Sequence, residues 1–289
     1  MKMLISFCIV NLNAKNHLRN CLKAISGSTK FDSYEVIVVD NNSKDDSVKL
    51  LRFNHPEVKL IINSRNEGYT KAMNQALRLS KGKYKVVLNP DTELFPDSID
   101  VMINHMKSAK DIGIIGPKVI NADGSFQKSC RRGIARPAAV FSYFLGLSEK
   151  YPLNKKFTGY HLNHLDENII HEVSGVSGSC MLIKNNLINK IGYFDERYFA
   201  YQEDSDYCLT AINNGWKIYY NPNATAKHYG GRGGAHSLPS KALFEWHRSY
   251  FRYYDKHFSK DYSTLFNLFY YAIMLGKLIF SQTRLLLKS

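Results

Sequence analysis

The acidic side chains Glu203, Asp204 and Asp206 lie close together in the stretch YQEDSDYCLTAINNGW. The apolar period of this stretch predicts a helix from about Glu203 to Asn214, and acidic residues favour the first turn of a helix through its dipole. Capping of the helix is therefore one explanation. The aromatic residues just upstream are typical of an apolar pocket wall, where burial raises the pKa of a carboxylate toward that of a general base.

A second chemical feature ends the hydrophobic run VVLNPDTEL, where Asp91 closes a strand with no basic residue beside it. His228 follows another strand and precedes a glycine-rich stretch in AKHYGGRGG. A lone histidine is more often structural than metal-binding. Together, however, Asp91 and His228 provide an oxygen and nitrogen ligand set for Mn²⁺ or Mg²⁺, with diphosphate oxygens and water in the remaining positions.

Asp40 ends a third apolar run, YEVIVVD, and starts the loop DNNS. A carboxylate at this place is suited to accept a hydrogen bond from a nucleobase or a ribose. The alternative is an Asx-turn that only starts the loop. Ser43 and Asp46 match a capping box, which would open the helix KDDSVKLLRF.

Short apolar runs alternate with helix-period segments from residue 3 to 119. The predicted strands are MLISFCIV, YEVIVVD, VKLII, YKVVLN and IGIIGPKV, and the helices include LRNCLKAI and DSIDVMINHMKSA. This alternation predicts a mostly parallel sheet covered by helices, in which ligands bind beyond the carboxyl ends of the strands. Residues 120–172 are less regular and predict loops with one helix. The strands SCMLIK and KIYYN then flank the acidic helix.

The composition limits the kinds of partner and the cellular compartment that we expect for this protein. The chain of 289 residues has a net charge of +14 and a pI of about 9.4, which suits a polyanionic ligand, an anionic membrane or nucleic acid. We predict no nucleic-acid partner, because no motif of a nucleic-acid-binding fold is recognisable. The five cysteines show neither disulfide nor metal-site spacing, which favours a reducing compartment. The first apolar run is too short for a signal peptide, so we expect a cytoplasmic protein.

Six segments, in this order, resemble the glycosyltransferase family 2 enzymes and most closely their rhamnosyltransferase-like branch. They are CIVNLNAKNHLRNCLKAI, VIVVDNNSKDDS, NEGYTKAMNQAL, VVLNPDTEL, GSCMLIKNNLINKIGYFDERYFAYQEDSDYCLTAINNGWKIYYNP and HYGG. The resemblance runs from about residue 3 to 255. It implies the GT-A fold, an α/β fold with a mostly parallel central sheet flanked by helices, here with a C-terminal helical extension. It also implies a metal-dependent transfer of a sugar from a nucleotide diphosphate with inversion.

The resemblance also assigns roles to individual positions. Asp204 would deprotonate the acceptor hydroxyl as part of a Glu203–Asp204 pair, and Asp91 would hold the metal together with His228. Asn89 stands where the family has a first aspartate, so metal affinity would be modest because an amide carries no charge. The implied donor-binding residues are Asn11 and Asp40 at the base, Asn42 in the same loop, Asn66, Gly68 and Asn74 around the donor pocket, and Asn89 with Asp91. Basic residues that suit phosphate oxygens are Arg131, Arg132, Arg232, Lys241 and Arg248, of which Arg232 is taken as the donor ligand.

The Asn-Pro-Asp form implies dTDP-L-rhamnose as the expected donor, and a saccharide, expected to be lipid-linked, as the acceptor in bacterial cell-surface polysaccharide synthesis. UDP-sugars with galactofuranose, galactose or N-acetylglucosamine are the alternative donors. A protein that binds nucleotide sugars without catalysis is a further alternative, although Asp204 and Asp91 are both present.

The expected organisation is a glycosyltransferase domain over residues 1–258, with a nucleotide-binding half at 1–119 and an acceptor half at 173–236. Residues 259–289 would form an amphipathic helical tail. Its run STLFNLFYYAIMLGKLIF is at the short edge for spanning a bilayer, and most of its apolar residues fall on one helical face. We expect this helix to lie in the membrane interface at the inner face of the plasma membrane, or to form a homodimer contact.

Overall fold

The fold is given by a computed structural model that describes residues 4–231 and 239–287. The strands in these ranges are β1 Ile5–Asn11, β2 Tyr34–Asp40, β3 Lys59–Ile62, β4 Tyr84–Leu88, β5 Thr92–Leu94, β6 Ile112–Ile120, β7 Arg131–Arg132, β8 His171–Glu172, β9 Gly175–Val176, β10 Cys180–Lys184 and β11 Lys217–His228. The helices are α1 Lys15–Gly27, α2 Ser47–Asn54, α3 Tyr69–Leu79, α4 Ser98–Lys107, α5 Pro137–Phe144, α6 Leu147–Lys150, α7 Asn185–Ile191, α8 Glu203–Asn213, α9 Pro239–His257 and α10 Thr264–Leu286, with short 3₁₀ turns at Lys128–Cys130 and Ser259–Asp261.

The central sheet has the strand order β3-β2-β1-β4-β10-β6-β11-β5, with β8 paired to β11. Strands β1, β2, β3 and β4 pair in parallel, and β6 pairs in parallel with β11. Strand β10 runs antiparallel between β4 and β6. The predicted mostly parallel sheet flanked by helices is therefore confirmed, and the C-terminal helices are present as expected.

Each face of the sheet carries its own apolar layer because successive strand residues point to opposite faces. Ile5, Phe7 and Ile9 of β1 pack with α1 and α4 on one face, while Cys8 and Val10 pack with α3, α7 and α8 on the other. The apolar faces predicted for two helices are buried as expected, namely Leu18, Leu22 and Ile25 in α1 and Ile99, Met102, Ile103 and Met106 in α4.

The capping box predicted for α2 is wrong. The helix begins at Ser47, one residue after Asp46, and the carboxylate of Asp45 accepts a hydrogen bond from the Ser47 N–H at 3.0 Å. The Ser43 hydroxyl accepts instead from the side-chain amide of Asn11 at 3.1 Å. Ser43 therefore joins the ends of two neighbouring strands rather than starting a helix.

The segment 120–172 contains two helices, α5 and α6, where one is predicted. Helix α5 starts with Pro137, whose missing N–H costs nothing at the first helical position. Gly146, with φ of 68°, then changes the direction of the backbone, and α6 starts at the next residue. The left-handed glycine explains why one aromatic run makes two short helices.

Helices α9 and α10 form an antiparallel pair. Tyr254 of α9 stacks on Tyr270 of α10 with ring centroids 3.8 Å apart, and the Ser240 hydroxyl donates to the Gln282 side chain at 2.9 Å. Tyr270 and Met274 are buried, so α10 is held along its length by α9. Most of the face predicted to be apolar is exposed and includes Leu265, Leu268, Phe269, Leu275 and Ile279. In the described part of the chain, α10 is the one helix long and apolar enough to cross a membrane by length and composition.

All five cysteines are free thiols and buried. Burial raises the pKa of Cys8, Cys180 and Cys208 to about 12 and that of Cys130 to about 11. It also raises the pKa of Cys21, far above that of an exposed thiol. These side chains belong to the core and are not reactive nucleophiles.

Candidate functional site

An open cleft of about 550 Å³ lies at the carboxyl ends of the parallel strands. Acidic, basic and aromatic side chains from distant parts of the chain meet there. Of the residues predicted to form the site, those that line the cleft are Asn66, Asn89, Asp91, Glu203, Asp204 and His228. Asn11, Asp40, Asn42, Gly68 and Asn74 lie around it without lining it. Arg232 lies outside the described residues.

Asp204 stands at the first turn of α8 and carries three strong hydrogen bonds. Its Oδ2 accepts from the Arg132 guanidinium at 2.5 Å and from the Gly178 N–H at 2.9 Å, and its Oδ1 accepts from the Ser205 N–H at 2.7 Å. The chain enters α8 through Tyr201 and Gln202, both with positive φ (69° and 60°). Backbone strain of this kind is concentrated at functional sites, and here it turns the acidic pair into the cleft.

Glu203 is buried next to Asp204 and lacks the same support. In the described ranges no hydrogen-bond donor reaches its Oε2. Burial, together with the neighbouring Asp204 charge, raises the pKa of Glu203 from 4.5 to about 8. At neutral pH Glu203 is therefore mostly a neutral acid that can donate a hydrogen bond, whereas the Asp204 carboxyl group accepts from Arg132 at 2.5 Å.

The raised pKa of Glu203 predicts a pH-dependent stability. A carboxyl group whose pKa is higher in the folded state stabilises the fold most below the unfolded pKa, and this contribution disappears as the pH rises from about 4.5 to about 8. Glu203→Gln, which does not titrate, should therefore gain stability relative to wild type as the pH rises from 5 to 8.5. Melting temperatures at several pH values measure this, with Glu57→Gln on the surface as the control. Parallel curves for wild type and Glu203→Gln would contradict the prediction.

Asp91 and His228 meet at the other end of the cleft because β11 pairs antiparallel with β5, which places His228 opposite Thr92. The His228 Nε2 lies 3.2 Å from Asp91 Oδ1 and 3.3 Å from the Asn89 side-chain amide. Its Nδ1 lies 3.0 Å from Gln127 Oε1, an acceptor, so Nδ1 carries the proton. Nε2 therefore faces Asp91 Oδ1, and the two atoms are placed to share one cation.

This donor set fits a divalent metal that takes most of its ligands from elsewhere. A carboxylate oxygen and an imidazole nitrogen are ligands for Mn²⁺, and the bond from Nδ1 to Gln127 is the outer contact that fixes a metal-binding tautomer. Within residues 4–231 and 239–287, no three His, Cys, Asp or Glu side chains cluster as a complete metal cage. Any ion at Asp91 and His228 therefore needs oxygens from a ligand or from water.

Asn11 and Asp40 lie side by side because their strands pair in register. Both are fully buried. The Asn11 amide donates to Asp40 Oδ2 at 2.9 Å, and the Ser43 N–H donates to Asp40 Oδ1 at 2.8 Å. Both carboxylate oxygens are thus engaged, and direct contact with a nucleobase stays a prediction. In this structure the pair holds the start of the following loop.

Asn41, the residue after the strand end, lines the cleft and was missed from the sequence. Its amide donates to Asn66 Oδ1 at 2.8 Å, and its carbonyl oxygen accepts from the Glu67 N–H at 3.0 Å. Asn42 turns away in a left-handed conformation and accepts from Lys44 Nζ. The position directly after a strand was the signal that points to Asn41.

Gly68 and Asn74 shape the cleft by holding the loop that precedes α8. A Cβ on Gly68 would lie 2.7 Å from both the Phe199 ring and the Phe199 carbonyl oxygen, and Gly68 has φ of 89°. Asn74 donates to the Phe194 carbonyl at 2.8 Å and accepts from the Phe194 N–H at 3.1 Å. Both residues therefore position the aromatic loop, and the predicted contact of either with a donor remains untested.

Gly68→Ala should destabilise the protein by more than the cost of its backbone conformation. The left-handed backbone alone costs about 1 to 2 kcal/mol for a non-glycine residue, and the clash with Phe199 adds to it. Gly124→Ala is the matched control, because Gly124 has φ of 86° with nothing within 4 Å of its Cβ position. Chemical denaturation measures the difference between the two variants. Equal losses would show that the contact with Phe199 is unimportant.

The basic residues proposed for phosphate divide into two groups. Arg132 and Lys241 line the cleft, and Lys241 Nζ lies 4.3 Å from the centre of the Phe199 ring. Arg131 donates to the carbonyls of Leu165 and Asp166 and does not line the cleft. Arg248 pairs with Glu245 at 2.6 Å. Of the described basic residues proposed for phosphate, Arg132 and Lys241 are therefore the two that line the cleft, and Arg132 is paired there with Asp204.

Aromatic side chains form one wall of the cleft opposite the acidic residues. Tyr160 and Tyr250 share a hydrogen bond of 2.6 Å between their hydroxyls, and Trp246 lies against Tyr250 with ring centroids 4.5 Å apart. His161 stacks on Tyr160, and burial lowers the pKa of His161 to about 4. This wall is apolar with a few polar groups at its rim, which is typical of a small-molecule site.

Comparisons with known proteins agree with one another. A family model described as glycosyl transferase family 2 matches residues 6–192. An N-acetylglucosaminyl-diphospho-decaprenol L-rhamnosyltransferase from Mycobacterium tuberculosis is 29% identical over 256 residues, which are 83% of this chain and 81% of that protein. A low-salt glycan biosynthesis hexosyltransferase from Haloferax volcanii is 26% identical over 211 residues, which are 72% of this chain and 61% of that protein.

A solved structure shares the fold. A mannosyltransferase from Pyrobaculum calidifontis, in complex with GDP-Man and Mn²⁺, superposes with a TM-score of 0.57 over 87% of this chain at 15% identity. This chain spans 63% of the length of that solved chain, just under two thirds. The likeness confirms the predicted fold class.

Proposed function

Because the chain belongs to glycosyltransferase family 2, we propose that it transfers a sugar from a nucleotide diphosphate to a saccharide with inversion at the anomeric carbon. The proposed donor is dTDP-L-rhamnose, in line with the name of the Mycobacterium tuberculosis relative. The proposed acceptor is a lipid-linked saccharide on the way to a cell-surface polysaccharide. UDP-sugars are the alternative donors.

The observation that carries this proposal is the presence of two different chemical centres in one cleft. Asp204 and Glu203 lie at one part of it, and Asp91 with His228 at another. Tyr69, the first residue of α3, lines the same cleft, and burial together with the charges of Glu203, Asp204 and Asp91 raises its pKa. An inverting displacement needs this division, with a base for the acceptor and stabilisation for the leaving group.

Asp204 is the proposed base, and Arg132 is the residue that controls it. In the reaction the acceptor oxygen attacks the anomeric carbon, its proton passes to Asp204, and the bond from that carbon to the diphosphate oxygen breaks. In the structure the Arg132 guanidinium occupies Asp204 Oδ2, the oxygen that would otherwise be open to a proton. We propose that Arg132, whose Nε has no acceptor among the described residues, turns toward the diphosphate and leaves Asp204 free to accept the proton.

Asp91 and His228 are the proposed ligands of a Mn²⁺ or Mg²⁺ ion, and Asn89 adds an uncharged amide beside them. Such an ion would neutralise the charge that develops on the departing nucleoside diphosphate. Lys241, on the rim of the cleft, supplies a positive charge for the phosphate oxygens of a phosphorylated acceptor.

The test of this function is a transfer assay with the full-length protein. A set of donors, namely dTDP-rhamnose, UDP-galactose, UDP-galactofuranose, UDP-N-acetylglucosamine and GDP-mannose, is offered with an N-acetylglucosaminyl diphosphate lipid. We expect one donor to be used, with a product whose anomeric configuration, read by NMR, is opposite to that of the donor. Retention of configuration would refute the mechanism. Metal-dependent donor binding without transfer to any acceptor would favour the non-catalytic alternative.

A peripheral membrane contact through α10, at the cytoplasmic face, would bring the cleft to a lipid-linked acceptor. Because Tyr270 and Met274 fasten α10 to the body of the protein, we propose that the helix lies along the membrane rather than through it. Its exposed apolar side chains would enter the interface, and a homodimer contact is the alternative use of the same face.

Replacing Leu265, Leu268 and Phe269 together by serine should abolish binding to anionic vesicles. These side chains are 79%, 62% and 57% exposed, so their replacement removes apolar surface without opening the core. We expect at least about a tenfold loss of the vesicle partition coefficient, since each methylene placed in lipid contributes roughly 0.8 kcal/mol. Co-sedimentation with vesicles measures it, and Phe53→Ser, at an 81% exposed position of α2, is the control. A change from dimer to monomer without any change in vesicle binding would support the homodimer instead.

A further inference from the structure

A second groove lies between the first turns of α9 and the last turns of α10, with a volume of about 760 Å³. Its walls include Phe244 from α9 and Leu278, Ile279 and Leu286 from α10. The polar groups at its end are already satisfied, because Ser240 and Gln282 bond to each other through both side chain and backbone at 2.9 Å. The free lining is therefore apolar.

The groove and the cleft are neighbours that share Lys241, which lines both. From the cleft to the groove the chemistry changes in a fixed order. The cleft offers carboxylates and aromatic rings, the junction offers the Lys241 ammonium, and the groove beyond offers apolar side chains. A sugar, a diphosphate and a hydrocarbon chain, joined in that order, match these three environments.

The far end of the groove opens toward the exposed face of α10. Ile279 belongs to both surfaces, since it lines the groove and is 58% exposed. Leu275, one helical turn before Ile279, is also 58% exposed, so apolar side chains extend from the groove along the exposed face of α10. The opposite side of α10 packs against the protein. There, Lys277 Nζ lies 4.3 Å from the centre of the Phe144 ring and 5.1 Å from that of Trp246.

We propose that this groove binds the first isoprene units of a polyprenyl diphosphate-linked acceptor, with the diphosphate at Lys241 and the sugar in the cleft. This inference rests on the proposed function. It adds a lipid-binding site to that function, and it makes the carrier lipid, in addition to the sugar, a determinant of acceptor choice.

The kinetic test compares two acceptors that carry the same N-acetylglucosaminyl diphosphate, one esterified to a decaprenyl chain and one, the short acceptor, esterified to a methyl group. Both are presented to the full-length protein in the same detergent micelles. Leu278→Trp fills the groove and should raise the KM for the decaprenyl acceptor by about tenfold or more, while the KM values for the short acceptor and the donor stay unchanged. Phe53→Trp, at an 81% exposed position of α2 and outside both the groove and α10, is the control and should change none of them.

Lys241→Ala tests the contact with the diphosphate separately from the contact with the lipid. It should weaken both acceptors by a similar factor, because both carry the same diphosphate. If Leu278→Trp leaves the KM for the decaprenyl acceptor unchanged, or raises the KM values for both acceptors equally, the proposed groove is wrong. Transfer to neither acceptor by the wild-type protein would count against the proposed function rather than against the groove.

A photolabelling experiment tests the groove without any need for transfer. A decaprenyl diphosphate with a benzophenone on its first isoprene unit is irradiated with the wild-type protein, and labelled peptides are mapped by mass spectrometry. Label within residues 239–244 and 278–286 would support the proposal. Label confined to residues 264–269, or cross-links between two copies of the chain through the groove, would overturn it.

Discussion

Asp204→Asn is expected to lower kcat by about 10² to 10⁴ while the donor still binds, because it removes the proposed acceptor of the hydroxyl proton. The amide keeps the shape of the side chain and can still accept a hydrogen bond from Arg132. Because Arg132 then carries a buried charge without a carboxylate, some stability is also lost, and activity is compared per folded molecule. Single-turnover kinetics with saturating donor and calorimetric donor binding separate the two effects.

Asp206→Asn is the matched control for Asp204→Asn. Asp206 lies on the same first turn of α8 and is also buried, but it pairs with Lys256 and His257 of α9 at 2.8 and 2.7 Å instead of lining the cleft. This variant should lose about 2 kcal/mol of stability and keep its kcat. Normal turnover in Asp204→Asn, or an equal loss of kcat in both variants, would remove Asp204 from the role of base.

Asp91→Ala should abolish the effect of Mn²⁺ on donor binding. A ligand present at about 100 times its dissociation constant stabilises a protein by roughly 2.7 kcal/mol, so a loss of binding is visible as a lost shift in melting temperature. We expect wild type to show a shift with donor and Mn²⁺ that falls in the presence of a chelator. The variant should show the small chelator-resistant shift under both conditions.

His228→Ala should behave like Asp91→Ala, because His228 Nε2 lies 3.2 Å from Asp91 Oδ1 and both atoms are proposed to bind the same ion. Asp97→Asn is the control, because Asp97 is a half-exposed carboxylate that pairs only with Lys30 among the described lysines and arginines. A Mn²⁺-dependent shift that survives in both site variants would exclude this metal site.

The positions that the sequence predicted best lie at the ends of strands and at the start of one helix. The apolar run that forms the end of β4, a strand buried along its whole length, stops at Leu88, so Asn89 and Asp91 could be placed at the carboxyl edge of the sheet. The apolar period of α8 likewise placed Glu203 and Asp204 at its first turn. Both inferences rest on local periodicity, which a sequence displays directly.

The groups that complete the site depend on contacts between distant segments. Arg132 lies in a strand of two residues that pairs with Gly175, and nothing periodic distinguishes it from Arg131, which points elsewhere. The family resemblance assigns Asn74 to the donor pocket, yet its side-chain amide donates to the backbone carbonyl of Phe194, 120 positions away. A sequence without aligned relatives gives no local sign of either pairing.

The buried cysteines can report local opening of the fold through the rate at which each thiol is alkylated. A thiol that is shielded and protonated reacts with an alkylating reagent only when the surrounding structure opens, so its rate of labelling reports a local opening free energy. Cys21 and Cys180 belong to one face of the sheet, and Cys8, Cys130 and Cys208 to the other. Pulsed alkylation read cysteine by cysteine therefore resolves which side of the sheet tightens when a nucleotide sugar binds.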